Sequence, residues 1–396
     1  MDTQNRWLLP EGIEEILPPH AARLDRLCRN IIDLHAGWGY QLVIPPLVEF
    51  LESLLTGTGS DLDLQTFKLT DQLSGRLLGI RADTTPQVAR IDAHNLKRET
   101  PTRLCYLGSV LHTRPSDTGG TRSPLQVGAE LYGHQGTESD AEILSLMLET
   151  LRVAGVPDVH VDIGHVGIYQ ALVKQANLDA DLEARLFSAL QRKAGAEINA
   201  LAGDGMLPAG LCDLFSVLAG AYGDIAELAD FEKPLAAAGA EVKRCLADLR
   251  RVAESVMKRL PDAPLQFDLA ELRGYHYHTG IVFAAYVPGK GQGIAFGGRY
   301  DAIGRAFGRA RPATGFSADI KTLLALSTGD GPEQPGIFAP SSEDPGLLNL
   351  VESLRQKGER VICELPGQKG SARDMGCDRR LEKKDGKWQV VKVSDE

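Results

Sequence analysis

Apolar residues recur at helical spacing between Pro18 and His35, at Leu24, Leu27, Cys28, Ile31 and Leu34, and the Gly37-Trp38-Gly39 stretch then breaks the pattern. Tyr40 to Ile44 reads as a strand running into Pro45-Pro46. Thr66 to Thr70 and Arg76 to Arg81 flank Asp71-Gln72-Leu73-Ser74-Gly75, whose polar and glycine content predicts a hairpin turn. A helix is expected at once after it, with Thr85 as N-cap and Pro86 in the first helical position, where a missing N–H costs nothing. Two longer strands, Arg103 to Thr113 and Pro124 to Gly133, enclose a loop rich in Pro, Ser, Asp and Gly, Arg114 to Ser123, which is a candidate binding element. Ser139 and Glu142 have the spacing of a capping box, for a helix that Gly155 and Pro157 stop.

Residues 166 to 260 are rich in Ala and Leu at helical spacing and predict a helical insertion. Strand character returns at Leu265 to Leu269, Tyr275 to Val287 and Gly293 to Phe296, before a terminal helix from about Gly315 to Leu326. A large domain over 1–327 is therefore expected, followed by a Pro- and Gly-rich linker at 328–345. The remaining 346–396 predict a small appendage with one helix, Leu347 to Lys357, and strands at Arg360 to Glu364 and Trp388 to Val393. There are no tandem repeats, and an antiparallel sheet flanked by helices fits better than βαβ repetition, so the class is α+β.

Composition narrows the function. The 43% hydrophobic and 24% charged content is that of an ordinary globular protein. The formal net charge of -10 gives no overall attraction to nucleic acid. No window offers the roughly eighteen consecutive apolar residues of a membrane helix, and Met1 to Pro10 has no basic start followed by an apolar run, so a cytoplasmic location is expected. Six widely spaced cysteines make neither a CxxC zinc pair nor a compact disulfide framework.

Alternation in Pro124 to Gly133 puts Leu125, Val127, Ala129 and Leu131 on one face and Gln126, Gly128, Glu130 and Tyr132 on the other. The polar face has two readings, plain solvent exposure or one wall of a pocket. Arg273, Tyr275 and Tyr277 would share a face if Leu272 to Thr279 is extended, and with Glu130 and Gln126 they would suit a small zwitterion. That pocket requires the two segments to be neighbours. Asp83, just before the helix at Thr85, either accepts from an ammonium group or favours the helix dipole. His276 and His278 have no third His or Cys near them, so no metal site is expected; Gly289-Lys290-Gly291-Gln292-Gly293 lacks P-loop spacing.

Over roughly residues 5 to 326 the chain resembles the histidyl-tRNA synthetases, in the order and spacing of the class II motifs. The segment ending in Pro45-Pro46-Leu47-Val48-Glu49 looks like motif 1, the dimer element, and Arg103 to Gly133 like motif 2, with Gln126, Gly128 and Glu130 matching Gln-x-Gly-x-Glu. Leu272-Arg273-Gly274-Tyr275-His276-Tyr277 resembles the histidine-specific Arg-Gly segment, Gly297-Gly298-Arg299-Tyr300-Asp301 its Gly-Gly-Arg-Tyr-Asp, and Gly315 to Leu323 motif 3. The resemblance implies a class II synthetase-like sheet and a histidine site. Asp83, Thr85 and Gln126 would hold the ammonium group, Glu130 and Tyr277 would read the imidazole, Arg273 would meet the carboxylate, and Tyr275 belongs to the same set. His278 departs from the family's second Tyr.

The nucleotide site departs further. Where the synthetases carry Phe-Arg-x-Glu-Arg-Pro the chain has Val110-Leu111-His112-Thr113-Arg114-Pro115, and Gly-Leu-Glu-Arg is replaced by Asp319-Ile320-Lys321-Thr322. Both phosphate-binding arginines are missing at Leu111 and Thr322, and Asp319 adds a carboxylate near where a triphosphate would lie. The appendage is also too short for the synthetases' anticodon-binding domain. Together these departures resemble the regulatory subunits of short-form ATP phosphoribosyltransferase, a paralogous family. That implies no catalytic residues, no cofactor, histidine as effector, a separate short-form catalytic subunit as partner, and a homodimer within a hetero-oligomer, with neither nucleic acid nor membrane. The competing expectation is an active histidyl-tRNA synthetase, and a third is a stand-alone amino-acid-binding paralogue.

Overall fold

A computed structural model describes residues 7–56, 60–115, 120–203, 207–275, 277–328 and 335–393. His276, residues 116–119 of the predicted loop and 329–334 of the predicted linker lie outside the described residues. The chain divides into two units, Met1–Thr328 and Gly329–Glu396.

In the first unit, helix His20–Gly37 buries Leu27, Ile31 and His35, residues four apart on one stripe. It leads into the short strand β1 (Gln41–Leu42). Strands β2 (Val48–Phe50), β3 (Phe67–Thr70) and β4 (Leu77–Ile80) form an antiparallel sheet of their own, in the order β2-β4-β3. The β3–β4 turn has the predicted chemistry. The Asp71 carboxylate accepts from the backbone N–H groups of Leu73 and Ser74, and Gly75 takes φ +71°. Helix Thr85–Arg90 follows, with Thr84 as its N-cap residue instead of Thr85. The Thr85 N–H is taken at 3.1 Å by the Asp83 carboxylate.

The main sheet is built from β1, β5 (Thr102–Ser109), β6 (Leu125–Tyr132), β7 (His160–His165), β8 (Tyr222–Asp224), β9 (Leu265–Asp268), β10 (Ile281–Tyr286), β11 (Ala295–Arg299) and β12 (Ala313–Asp319). Its order is β1-β5-β6-β12-β11-β10-β7-β9-β8, parallel at β1–β5 and β7–β9 and antiparallel elsewhere. One face carries Val127, Ala129, Leu131, Phe283 and Phe316 into a core shared with Ile143, Leu144, Met147 and Leu151 of helix Thr137–Val153. Among the described residues, 166–260 hold six α-helices and two short 3₁₀-helices, interrupted by β8, which extends the sheet edge. Among the described residues no helix is long and apolar enough to cross a membrane.

Several sequence expectations are corrected. Residues 313–319 are a strand, not the start of a helix, because Thr314, Phe316 and Ala318 alternate into the core. Ala-Thr-Gly-Phe-Ser-Ala-Asp is poor in β-branched residues, and neighbours on both sides impose the extended form. The described residues on either side of His276 are not extended: Tyr275 N–H donates to Leu272 O (3.0 Å) and His278 N–H to Gly274 O (2.9 Å), with Gly274 at φ +66°. The Ser139/Glu142 capping box does not form. Gly136 is the N-cap residue, and Glu142 instead takes the Arg103 guanidinium at 2.7 Å.

The second unit holds a four-stranded sheet of β13 (Gly336–Ala339), β14 (Val361–Cys363), β15 (Cys377–Lys384) and β16 (Lys387–Lys392), in the order β14-β13-β15-β16. Helix Pro345–Gln356 covers it, packing Leu347 and Val351 on Ile337, Ala339 and Leu381. The sequence pattern misses β13, which lies inside the predicted linker, and β15, whose Arg-Arg-Leu-Glu-Lys-Lys run is too charged to read as a strand.

Candidate functional site

Cross-strand pairing aligns Leu104, Glu130, Gly315, Gly298, Val282 and Gly164 in one row over β5, β6, β12, β11, β10 and β7. Paired residues on adjacent strands point to the same face, so Glu130 stands beside a floor that has no side chains on the next two strands. The adjacent row is Tyr106, Gly128, Ser317, Phe296, Ala284 and Asp162. A Cβ on Gly315 would run into the Glu130 carboxylate, and one on Gly128 into the Tyr106 hydroxyl. These glycines make the pocket possible.

Glu130 is 1% exposed, which removes the solvent-face reading of β6. Its carboxylate accepts from the Tyr106 hydroxyl at 3.2 Å and from the Tyr300 hydroxyl. Burial pushes its pKa well above the usual carboxylate range, although the Tyr300 hydrogen bond works the other way. Burial thus favours the protonated carboxyl, and a donor-rich or cationic group beside it would favour the ionised form.

The opposite end of the pocket is polar. Gln126 Nε2 donates to Asp83 at 2.8 Å, the Thr84 N–H donates to Gln126 Oε1 at 2.9 Å, and the Thr85 hydroxyl lies 3.2 Å from that of Tyr106. Tyr106 therefore joins the Asp83–Thr85–Gln126 group to Glu130. Tyr277, 42% exposed, brings its ring to 5.5 Å from that of Tyr300 and forms the mouth. The Arg273 guanidinium lies over the Phe296 ring at 4.5 Å. Phe296 stands two strands across from Glu130 and one same-face row away, about 10 Å across and about 7 Å along the sheet.

Of the predicted set, Asp83, Thr85, Gln126, Glu130 and Tyr277 gather around one space, with Arg273 one row away. Tyr275 turns elsewhere. Its hydroxyl donates to Glu183 at 2.9 Å and its ring lies 5.0 Å from that of Tyr169, which anchors the turn to the helical insertion. Tyr106, Tyr300 and His278 are pocket residues that the sequence reading did not pick out. Alternation with Gly108 along β5 was a usable signal for Tyr106.

Arg299, in the Gly-Gly-Arg-Tyr-Asp segment, points to the other face, where it pairs with Asp140 at 2.8 Å and donates to Ser139 Oγ and the carbonyls of His134 and Gly136. The Leu111 N–H donates to Arg81 O and the Thr322 hydroxyl donates to Asp319 at 2.8 Å. Asp319 also caps helix Ile320–Leu326, accepting from the N–H groups of Lys321 and Thr322, and takes the Leu125 N–H at 2.9 Å.

Three buried imidazoles, His35, His165 and His278, are each lowered by burial to about 4. A histidine lowered in the fold contributes stability that is fully present above its unfolded value near 6.5 and is lost as pH falls toward 4. Each then contributes a slope of up to about 1.4 kcal/mol per pH unit; the raised Glu130 opposes them with the same slope through the same window, and three histidines outweigh one carboxyl. Urea titrations are expected to give falling stability from pH 6.5 to 5; a flat profile over that window would exclude neutral burial of these rings.

Models of known families match most of the chain. The histidyl-tRNA synthetase model matches residues 12–323, and that described as ATP phosphoribosyltransferase subunit HisZ C-terminal domain matches 334–391. A protein named ATP phosphoribosyltransferase regulatory subunit from Thioalkalivibrio sulfidiphilus is 60% identical over 382 residues, 96% of this chain and 97% of that protein. One of the same name from Pseudomonas aeruginosa is 56% identical over 396 residues, covering 100% of both. Among solved structures, an ATP phosphoribosyltransferase regulatory subunit/histidyl-tRNA synthetase from Bacillus halodurans superimposes with TM-score 0.82 at 27% identity, over 93% of this chain and 96% of that one. A histidyl-tRNA synthetase from Nostoc, at 19% identity and TM-score 0.78 over 98% and 97% of the two chains, shares the fold.

Proposed function

The chain belongs to the ATP phosphoribosyltransferase regulatory subunits, and from that membership we propose that its pocket is the histidine sensor through which the complex is feedback-inhibited. The observation that carries this reading is the buried Glu130, hydrogen-bonded by two phenols and joined through Tyr106 to an Asp83–Gln126 pair. Histidine supplies what each end lacks: ring N–H groups for Glu130 and an ammonium group for Asp83. Arg273 meets the carboxylate at the open side.

Leu111, Thr322 and Asp319 support a chain that performs no aminoacyl transfer. No arginine stands at the two phosphate positions, and Asp319 is committed to its own helix cap. The phosphoribosyl chemistry then belongs to a separate short-form catalytic subunit. Histidine acts on it through the difference in its affinity for the active and inhibited states of the complex. A homodimer built on the motif 1 segment is supported by exposed Leu42, Ile44, Leu47 and Val48, apolar side chains that a second copy would cover.

The test is histidine inhibition of the assembled complex. Arg273→Ala is expected to raise the histidine inhibition constant at least about tenfold through loss of a charge-assisted contact, with uninhibited activity and assembly retained. An unchanged inhibition constant would remove Arg273 from the site.

A further inference from the structure

His278 is buried, 9% exposed, and its ring has two different edges. Nδ1 lies 3.1 Å from the Arg273 carbonyl oxygen. A carbonyl only accepts, so Nδ1 carries the hydrogen and Nε2 is left with a lone pair. That Nε2 has no hydrogen-bond partner among the described residues. Its position is fixed by the floor of the pocket: a Cβ built on Gly298 would lie 3.0 Å from Nε2 and 2.9 Å from Cδ2. Gly298 and Gly315 are partners on neighbouring strands, and Gly315 lies under the Glu130 carboxylate. Nε2 and the carboxylate therefore overlook adjacent floor positions, about 5 Å apart, the spacing of neighbouring strands.

We infer that His278 Nε2 is a ligand-binding atom that accepts a hydrogen bond from a ring N–H of the bound effector, beside the Glu130 carboxylate. The inference rests on the reading of this pocket as the histidine site. An unpaired buried acceptor is costly, and a ligand N–H that satisfies it gains what the ligand-free fold forgoes. Burial lowers the imidazole to about 4, so the lone pair is present at neutral pH. Glu130 and Nε2 together set two acceptors side by side at the ring end. They select a ring bearing N–H groups over a phenyl ring of similar size, which would leave Nε2 unpaired. The Arg273 carbonyl that fixes the tautomer belongs to the residue whose side chain is assigned to the ligand carboxylate, so one turn presents both contacts.

Three variants of the full chain separate this role from loop positioning, with L-histidine as the probe in calorimetric titration. His278→Asn keeps an amide donor where Nδ1 sits but has nothing at Nε2. His278→Gln places a polar atom at Nε2 and gives up the Nδ1 bond. His278→Phe keeps the ring and removes both nitrogens. Weaker binding by about tenfold in the Asn and Phe variants, with partial recovery in the Gln variant and an unchanged melting temperature in the Asn variant, is the expected result. Wild-type affinity in the Asn variant with loss in the Gln variant would make His278 a prop for the turn and overturn the inference. Wild-type affinity in all three would overturn it as well, while leaving the histidine site standing. Absence of histidine binding by the unmodified chain would overturn the site and the inference together.

Discussion

Glu130→Gln weakens histidine binding by about a hundredfold while raising the melting temperature of the ligand-free chain by roughly 2 °C. The two effects have one cause. In the fold the carboxyl group is buried, has hydroxyl groups as its partners and is pushed by burial toward its neutral form. A carboxyl with a raised folded pKa destabilises the fold increasingly as pH rises above its unfolded value, so an isosteric amide relieves that cost. The same amide carries no charge to pair with an imidazole N–H, and the charge-assisted contact is lost. The gain in stability is expected to be larger at pH 8 than at pH 5. Equal affinity for histidine in the variant would detach Glu130 from ligand recognition; a lower melting temperature would show that the carboxylate serves the fold.

The largest stability effect is expected at Asp140. Its side chain is 2% exposed and holds the Arg299 guanidinium at 2.8 Å, itself only 8% exposed. Asp140→Ala removes the shorter of two carboxylate partners and leaves the buried cation with Asp301 at 3.3 Å, Ser139 and backbone carbonyls, and costs about 3 kcal/mol, measured as a fall in the denaturation midpoint with an unchanged slope. Arg299 is the middle residue of Gly298-Arg299-Tyr300. The same variant is therefore expected to loosen the segment that supplies a pocket floor position and the Tyr300 hydroxyl. A cost under about 1 kcal/mol would mean that this pair is as weak as a surface one.

Much of this was legible in the sequence, for reasons that particular residues make plain. Strand β6 separates Val127, Ala129 and Leu131 from Gln126, Gly128 and Glu130 at strict period two, so its two faces could be read directly. Strand β12 could not, because Gly315, Ser317 and Ala318 are small and carry little strand preference; the central position in the sheet makes them extended. The alternating Tyr275-His276-Tyr277-His278 imitates a strand, yet Gly274 at φ +66° starts a turn and sends Tyr275 to Glu183 while Tyr277 faces Tyr300. The bond from the Tyr300 hydroxyl to Glu130 spans 170 residues of sequence and depends on three neighbouring strands, which no local pattern encodes. Strand alternation and the helix start already singled out Asp83, Gln126 and Arg273, and family resemblance supplied the role expected of each. It gave His278 only as a departure, and the geometry is what suggests a role for it.

The central claim is that a synthetase fold has kept a histidine pocket and given up nucleotide handling. Calorimetric titration of the purified chain with histidine and, separately, with ATP and magnesium tests it most directly. Saturable binding of histidine with no heat from ATP is the predicted result; tight ATP binding, or histidine binding that requires ATP, would contradict it.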